Sequence, residues 1–281
     1  MAERMIEANG VQLCTDAIGQ PGDPPVLLIM GMGASMVWWE TEFCDRLAVD
    51  RFVIRYDHRD TGRSVTYPPG HPEYMAGDLV RDAAAVLDAY GLDCAHIVGM
   101  SMGGALAQLL ALDLPERVLS LVLISTSPAV PGARQLPPCE QRLLDFLAGA
   151  RVDWSDPDSI VDYLVEHWRV LWGPTRTFDE ARIRALAQED VGRADDPGAA
   201  QNHGLLADDE RSRGPLSSIV APTRVIHGTD DPMFPLAHGI ALADEIHGAS
   251  LLPLEGAGHG IDPADWDTIT PAVRDHTGAP G

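Results

Sequence analysis

Ser101 stands between two glycines at ±2, in Gly99-Met100-Ser101-Met102-Gly103. The apolar run Ala95 to Val98 before it reads as a short buried strand, and a helical pattern runs from Ala105 to about Leu112. A serine on so sharp a strand-to-helix turn has a strained backbone, and its neighbours must lack bulk. Its Oγ is left exposed at the positive end of a helix, where developing negative charge is favoured. These residues suit nucleophilic attack on an acyl carbon, whereas a Gly-Ser-Gly turn without the flanking strand and helix would be structural only. The backbone N–H of the next residue, Met102, is then expected to receive the oxyanion of a tetrahedral intermediate.

Such a serine needs a base, and the base needs an orienting acid. On this turn type the chain order is serine, then Asp or Glu, then His. Two late strand-like runs end in suitable loops: Thr223–Gly228 leads into Thr229-Asp230-Asp231-Pro232, and Ser250–Leu254 leads into Glu255-Gly256-Ala257-Gly258-His259-Gly260. Both loops lie at strand C-terminal ends, where open parallel sheets place their sites. His259, between glycines and after the last strand, is preferred among the 10 histidines. At this point the acid is either Asp230 or Asp231. The chain contains no lysine, so all 20 basic residues are arginine. That excludes Schiff-base chemistry, a phosphate-loop lysine and a Ser–Lys dyad. No H-E-x-x-H or clustered ligand pattern is present, and neither metal nor cofactor is expected.

The elements that must hold these residues alternate. Val26–Met30 and Arg51–Tyr56 read as strands, the second followed by the loop Asp57–Ser64. A helix follows from Gly77 to about Tyr90, then the Ser101 strand and helix, then a strand at Val118–Ile124. This rhythm predicts an α/β fold with a mostly parallel sheet covered on both faces. From Ser127 to Ser218 it stops, and helix-like runs appear near Gln141–Arg151, Ser159–Leu171, Asp179–Glu189 and Pro197–Asp209. The plan expected is a core of residues 1–127 and 219–281 with a helical cap of residues 128–218. Residues 131–217 are expected to form most of the wall over Ser101. Trp168 and Trp172, four apart, would share one helical face there, and His203 is a weaker candidate to face the site. Asp57 and Arg59 read as ion-pairing residues that fix their loop. With 281 residues and a formal charge of −22, the chain is not suited to nucleic acid or anionic membrane surfaces. No run has the apolar length of a membrane span, and residues 1–10 lack a signal-peptide core, so a cytoplasmic location is expected. The widely spaced Cys14, Cys44, Cys94 and Cys139 read as reduced thiols. A homodimer is left open.

The combination of Gly99-Met100-Ser101-Met102-Gly103-Gly104, the 57–64 loop, Gly228-x-x-Asp231 and Gly258-His259 resembles α/β-hydrolase fold serine esterases with a helical cap, over nearly the full length. The spacing from Gly228 through Asp231 to Pro235 resembles that family's acid motif, which implies Asp231. The resemblance also implies the second oxyanion donor at the N–H of Met32. The family usually has His-Gly after its first central strand; here Met30-Gly31-Met32-Gly33 puts methionine in that place. With Tyr56–Ser64, this resembles the aclacinomycin-type methylesterases, which cleave a methyl ester on anthracycline polyketides. The partner implied is a small-molecule ester, or a lactone, of a bulky polyketide-like compound. Met30, Trp38, Met100, Trp168, Trp172 and Phe234 are the candidate pocket residues. Amide hydrolysis of the proline iminopeptidase kind, C–C hydrolysis, perhydrolysis and a non-catalytic binding role on the same fold are the alternatives.

Overall fold

The computed structural model describes residues 3–132, 134–207 and 211–278, so the end of the expected 197–209 helix lies outside the described residues. Eight strands form one sheet: β1 (Arg4–Ala8), β2 (Val11–Ile18), β3 (Pro25–Ile29), β4 (Phe52–Tyr56), β5 (Ala95–Met100), β6 (Val118–Ile124), β7 (Thr223–Gly228) and β8 (Ser250–Leu254). Their order is β1-β2-β4-β3-β5-β6-β7-β8. From β4 to β8 all neighbours are parallel, whereas β1–β2 and β2–β4 are antiparallel. The β1–β2 hairpin turns at Asn9-Gly10, with φ of 49° and 76°. Asn-Gly is the pair that tolerates two consecutive left-handed residues in a tight hairpin.

The apolar runs of the central strands are continuous because both sheet faces are covered. Alternate residues serve opposite cores. Leu27, Ile29, Ile97, Leu121, Leu123 and Val225 share one cluster with residues of α2 (Ala76–Ala89), α3 (Met102–Asp113) and α7 (Ala237–Glu245). Val26, Leu28, Val98, Val122, Ile124 and Ile226 pack on the other side with α1 (Thr41–Leu47) and α8 (Trp266–His276).

Between β6 and β7 the chain inserts α4 (Gln141–Gly149), α5 (Pro157–Leu171) and α6 (Glu180–Arg193), then a 3-10 turn at Pro197–Leu205. Asp156 accepts the N–H of Asp158 and Pro157 opens α5, a favourable start on both counts. Val161 and Val165 on α5, with Ile183, Ala187 and Val191 on α6, recur every four residues and close a third apolar cluster. Among the described residues no helix is long and apolar enough to cross a membrane.

Candidate active site

The Ser101 turn is held by close backbone packing. A Cβ on Gly99 would lie 2.2 Å from the Gly103 carbonyl oxygen, and one on Gly103 would lie 2.1 Å from that of Ile29. No side chain fits at either place, which explains the glycines at ±2. Ser101 itself has φ 54° and ψ −121°. Such a conformation costs a non-glycine residue about 1–3 kcal/mol and persists only where its surroundings enforce it. Here the Ser101 N–H donates to Ile124 O at 3.0 Å, and the Thr126 hydroxyl donates to Ser101 O at 2.7 Å. Helix α3 starts at Met102, three residues earlier than the apolar pattern suggests.

The loops after β7 and β8 bring the two partners. His259 Nε2 lies 3.0 Å from Ser101 Oγ, and its Nδ1 lies 2.8 Å from Asp231 Oδ2. Asp231 Oδ1 accepts the N–H groups of Met233 at 2.8 Å and Phe234 at 2.9 Å. Burial pushes the Asp231 carboxyl up, but His259, His227 and the Phe234 N–H together hold it below the usual carboxylate range. Because the carboxylate can only accept, Nδ1 of His259 carries the proton and Nε2 presents a lone pair to Ser101. The choice between adjacent aspartates is made by tertiary contact: Asp230 does not reach the histidine, and its N–H is bonded to Ala257 O at 2.9 Å. His259 is further fixed by its N–H, which donates to Leu171 O at the end of α5 at 2.9 Å.

Met102 is the first residue of α3, where N–H groups have no intrahelical acceptor. On the other side, a Cβ built on Gly31 would lie 3.3 Å from Ser101 Cβ, so the loop carrying Met32 passes directly against the serine. Ser101 and His259 open into a cavity of about 320 Å³, which Met32 and Met102 also line.

Of the expected pocket residues, Met30, Trp38, Met100, Trp168 and Phe234 line this cavity. Trp38 and Trp168 stack with centroids 4.8 Å apart. Trp172 does not line it. Helix α5 ends at Leu171, and Trp172 turns to ψ 149°, so the i, i+4 face no longer applies. Its ring is buried against Phe178, with Nε1 donating to Thr177 O at 3.2 Å, and it borders a smaller recess instead. The lining residues not expected are Gly31, Gly33, Ala34, Leu164, His167, Leu171, Asp190 and Met233. Leu164, His167, Trp168 and Leu171 stand at i, i+3, i+4 and i+7, so the helical stripe containing Trp168 was a usable signal for three of them. The insertion gives five lining residues, Leu164, His167, Trp168, Leu171 and Asp190, whereas the loop from Met30 to Trp38 gives six. The expectation that residues 131–217 form most of the wall is corrected accordingly.

His203 does not face the cavity. It is buried, with Nδ1 accepting the Gly33 N–H at 2.9 Å and Nε2 donating to Arg59 O at 2.8 Å. Asp57 and Arg59 form the buried ion pairs expected, with Arg193 and Asp82 respectively.

Residues 24–261 match the family model described as alpha/beta hydrolase fold. The chain belongs to the alpha/beta hydrolase fold family. It is 37% identical to the rhodomycin D methylesterase DauP of Streptomyces sp. (strain C5) and 36% identical to DnrP of Streptomyces peucetius, in each case over 99% of both chains. Among solved structures, an esterase from Rhodococcus sp. ECU1013 superposes with a TM-score of 0.78 at 23% identity, over 99% of this chain and 98% of that one. Met30 places an apolar side chain in the cavity wall beside Gly31 and Met32.

Proposed function

We propose that the protein is a serine hydrolase that cleaves the methyl ester of a bulky, polyketide-like substrate through an acyl-enzyme. The hydrogen-bonded chain Asp231–His259–Ser101 at the floor of the cavity is the observation that carries this reading. Ser101 Oγ attacks the ester carbonyl carbon while His259 Nε2 takes its proton. The N–H groups of Met32 and Met102 receive the oxyanion of the tetrahedral intermediate. Collapse breaks the acyl–oxygen bond, and His259 returns the proton to the leaving alkoxide. Water then enters, gives its proton to His259, and attacks the acyl carbon; a second collapse frees the acid and restores Ser101. Asp231 holds the imidazole in the working tautomer and balances its transient charge.

Two features support a large apolar acyl group. The stacked Trp38 and Trp168 with Phe234 and five methionines present polarizable surface suited to flat rings. The full-length relatives are, by name, methylesterases. The test compares methyl esters of polycyclic aromatic acids with short-chain methyl esters and lactones, using wild type and Ser101→Ala. Methanol release from the polycyclic esters, faster than from short esters and absent in Ser101→Ala, is expected. Equal turnover by Ser101→Ala would remove the serine mechanism; preference for short acyl chains would remove the bulky substrate.

A further inference from the structure

The backbone from Met30 to Trp39 crosses the C-terminal edge of the sheet, where its amides have no strand to pair with. Its internal backbone bonds are few: Ala34 N–H to Gly31 O at 3.5 Å, Trp38 N–H to Ser35 O at 3.3 Å and Trp39 N–H to Met36 O at 3.1 Å, which leaves the N–H groups of Gly33, Ser35 and Met36 without a backbone acceptor. Its buried amides are instead taken by side chains from far along the sequence. Gly33, at φ 68°, donates its N–H to His203 Nδ1 at 2.9 Å. The Ser35 N–H donates to Asp190 Oδ1 at 3.2 Å, and Trp38 Nε1 donates to Asp190 Oδ2 at 2.7 Å. The Met36 N–H donates to Asp57 Oδ1 at 2.8 Å, and Asp57 Oδ2 is paired at 2.6 Å with Arg193 of α6. His203, Asp190 and Asp57 are all buried. His203 is locked as an Nδ1 acceptor because its Nε2 donates to Arg59 O.

We propose that Asp190 and His203 are positioning residues that make the oxyanion site an assembly of core and insertion. Met32, the donor, lies between Gly31 and Gly33, and neither glycine restricts its own backbone. The fixed points nearest to Met32 on its C-terminal side are therefore Gly33 and Ser35, both anchored by the insertion. An oxyanion donor acts only when it sits within about 2.7–3.1 Å of where the charge develops. Releasing these anchors blurs that position without removing the donor. For His203, which does not line the cavity, the energetic effect then falls on the transition state and spares ground-state binding, whereas Asp190 lines the cavity and its removal touches both. It follows that a substrate which presses on α5 or α6 alters the oxyanion site as well as its own binding.

This proposal rests on Ser101 as nucleophile and the Met32 N–H as oxyanion donor, so the experiment reads both. Wild type, His203→Ala, His203→Asn and Asp190→Ala are compared for kcat and KM on an aromatic methyl ester, for the rate of Ser101 labelling by an organophosphonate, and for thermal melting. A lost oxyanion donor costs about 10²–10³ in kcat, so misplacement by either alanine variant is expected to lower kcat and labelling rate by about 10- to 100-fold, with KM within about threefold in His203→Ala. His203→Asn, whose Oδ1 can accept where Nδ1 did, should recover most of the rate. Folded alanine variants with wild-type rates, a KM rise in His203→Ala that accounts for its loss, or a His203→Asn no better than His203→Ala would each overturn the proposal. If an alanine variant does not fold, Asp190→Asn carries the test, because it keeps the volume and offers one acceptor in place of two. A folded Asp190→Asn enzyme with wild-type kcat overturns it equally. A wild type that resists labelling at Ser101 would instead remove the underlying reading.

Discussion

At the scale of single residues, the site depends on the different surroundings of two adjacent aspartates. Asp231 spends one oxygen on His259 and the other on two backbone N–H groups, so an amide in its place must present the wrong group to one of them. Asp231→Asn is expected to lower kcat by about 10⁴-fold, the scale of tautomer misdirection in serine proteases. Asp230→Asn should leave kcat near wild type; steady-state kinetics on both variants checks the pair, and the reverse ranking would reassign the acid. Gly103 offers a second test. A methyl group there would fall 2.1 Å from Ile29 O, a backbone atom that cannot rotate away. Gly103→Ala should therefore destabilise by about 3 kcal/mol, the upper end of ordinary overpacking, and urea titration reads that directly. Unchanged stability would mean that the turn has more room than the backbone spacing allows.

At the scale of elements, α5 divides its aromatic residues between two tasks. Trp168 lies on the stripe with Leu164, His167 and Leu171 and faces the cavity, stacked on Trp38. Trp172 lies beyond the helix end and packs inside the insertion. Trp168→Leu is expected to lower kcat/KM for polycyclic esters at least tenfold relative to short esters, because a pocket wall is lost. Trp172→Leu should lower stability by about 2 kcal/mol, as large-to-small changes in packed cores do, with an even loss across substrates. A substrate panel run beside thermal melts separates them, and identical profiles for both variants would contradict this division.

At the scale of the whole molecule, buried neutral histidines set the acid limit of stability. Burial, with His58 nearby, pushes His203 down to about 3; burial, with Arg51 and His276, pushes His96 down to about 4; burial and His259 push His167 down to about 4. Below pH 6.5 the unfolded chain takes up protons at these positions and the folded protein does not, so stability is present above that value and lost as pH falls. His203, fully enclosed, steepens the loss by up to about 1.4 kcal/mol per pH unit. Asp190, pushed up to about 6 by burial, acts in the opposite direction between pH 6 and its ordinary value of 3.8. Burial also holds His58, His227 and His276 down and pushes Glu40 up, so six histidines against two carboxyls give a net fall. Melting temperatures measured from about pH 7.5 to 4.5 should decline below pH 6.5, and a level or rising curve would show that these histidines become solvated and charged without unfolding.

Local chemistry made Ser101 and His259 legible in the sequence: a glycine-flanked serine between strand and helix, and a glycine-flanked histidine after the last apolar run. The strand and helix alternation carried the parallel sheet for the same reason, since a period is a local property of the chain. The Asn-Gly turn at 9–10 is an equally local signal of the edge hairpin, which stands outside the parallel rhythm. What local pattern left open were relations that only the packed elements settle. The spacing from Gly228 to Pro235 pointed to Asp231 by resemblance, while the contact that makes it the partner of His259 arises because the β7 and β8 loops converge at one sheet edge. Trp172 leaves the cavity because α5 ends one residue before it. Asp190 and His203 accept the N–H groups of Ser35 and Gly33 only because the insertion folds back over that edge. Each of these depends on where a side chain lies relative to a distant backbone, and that is fixed by packing of whole elements, which no local spacing encodes.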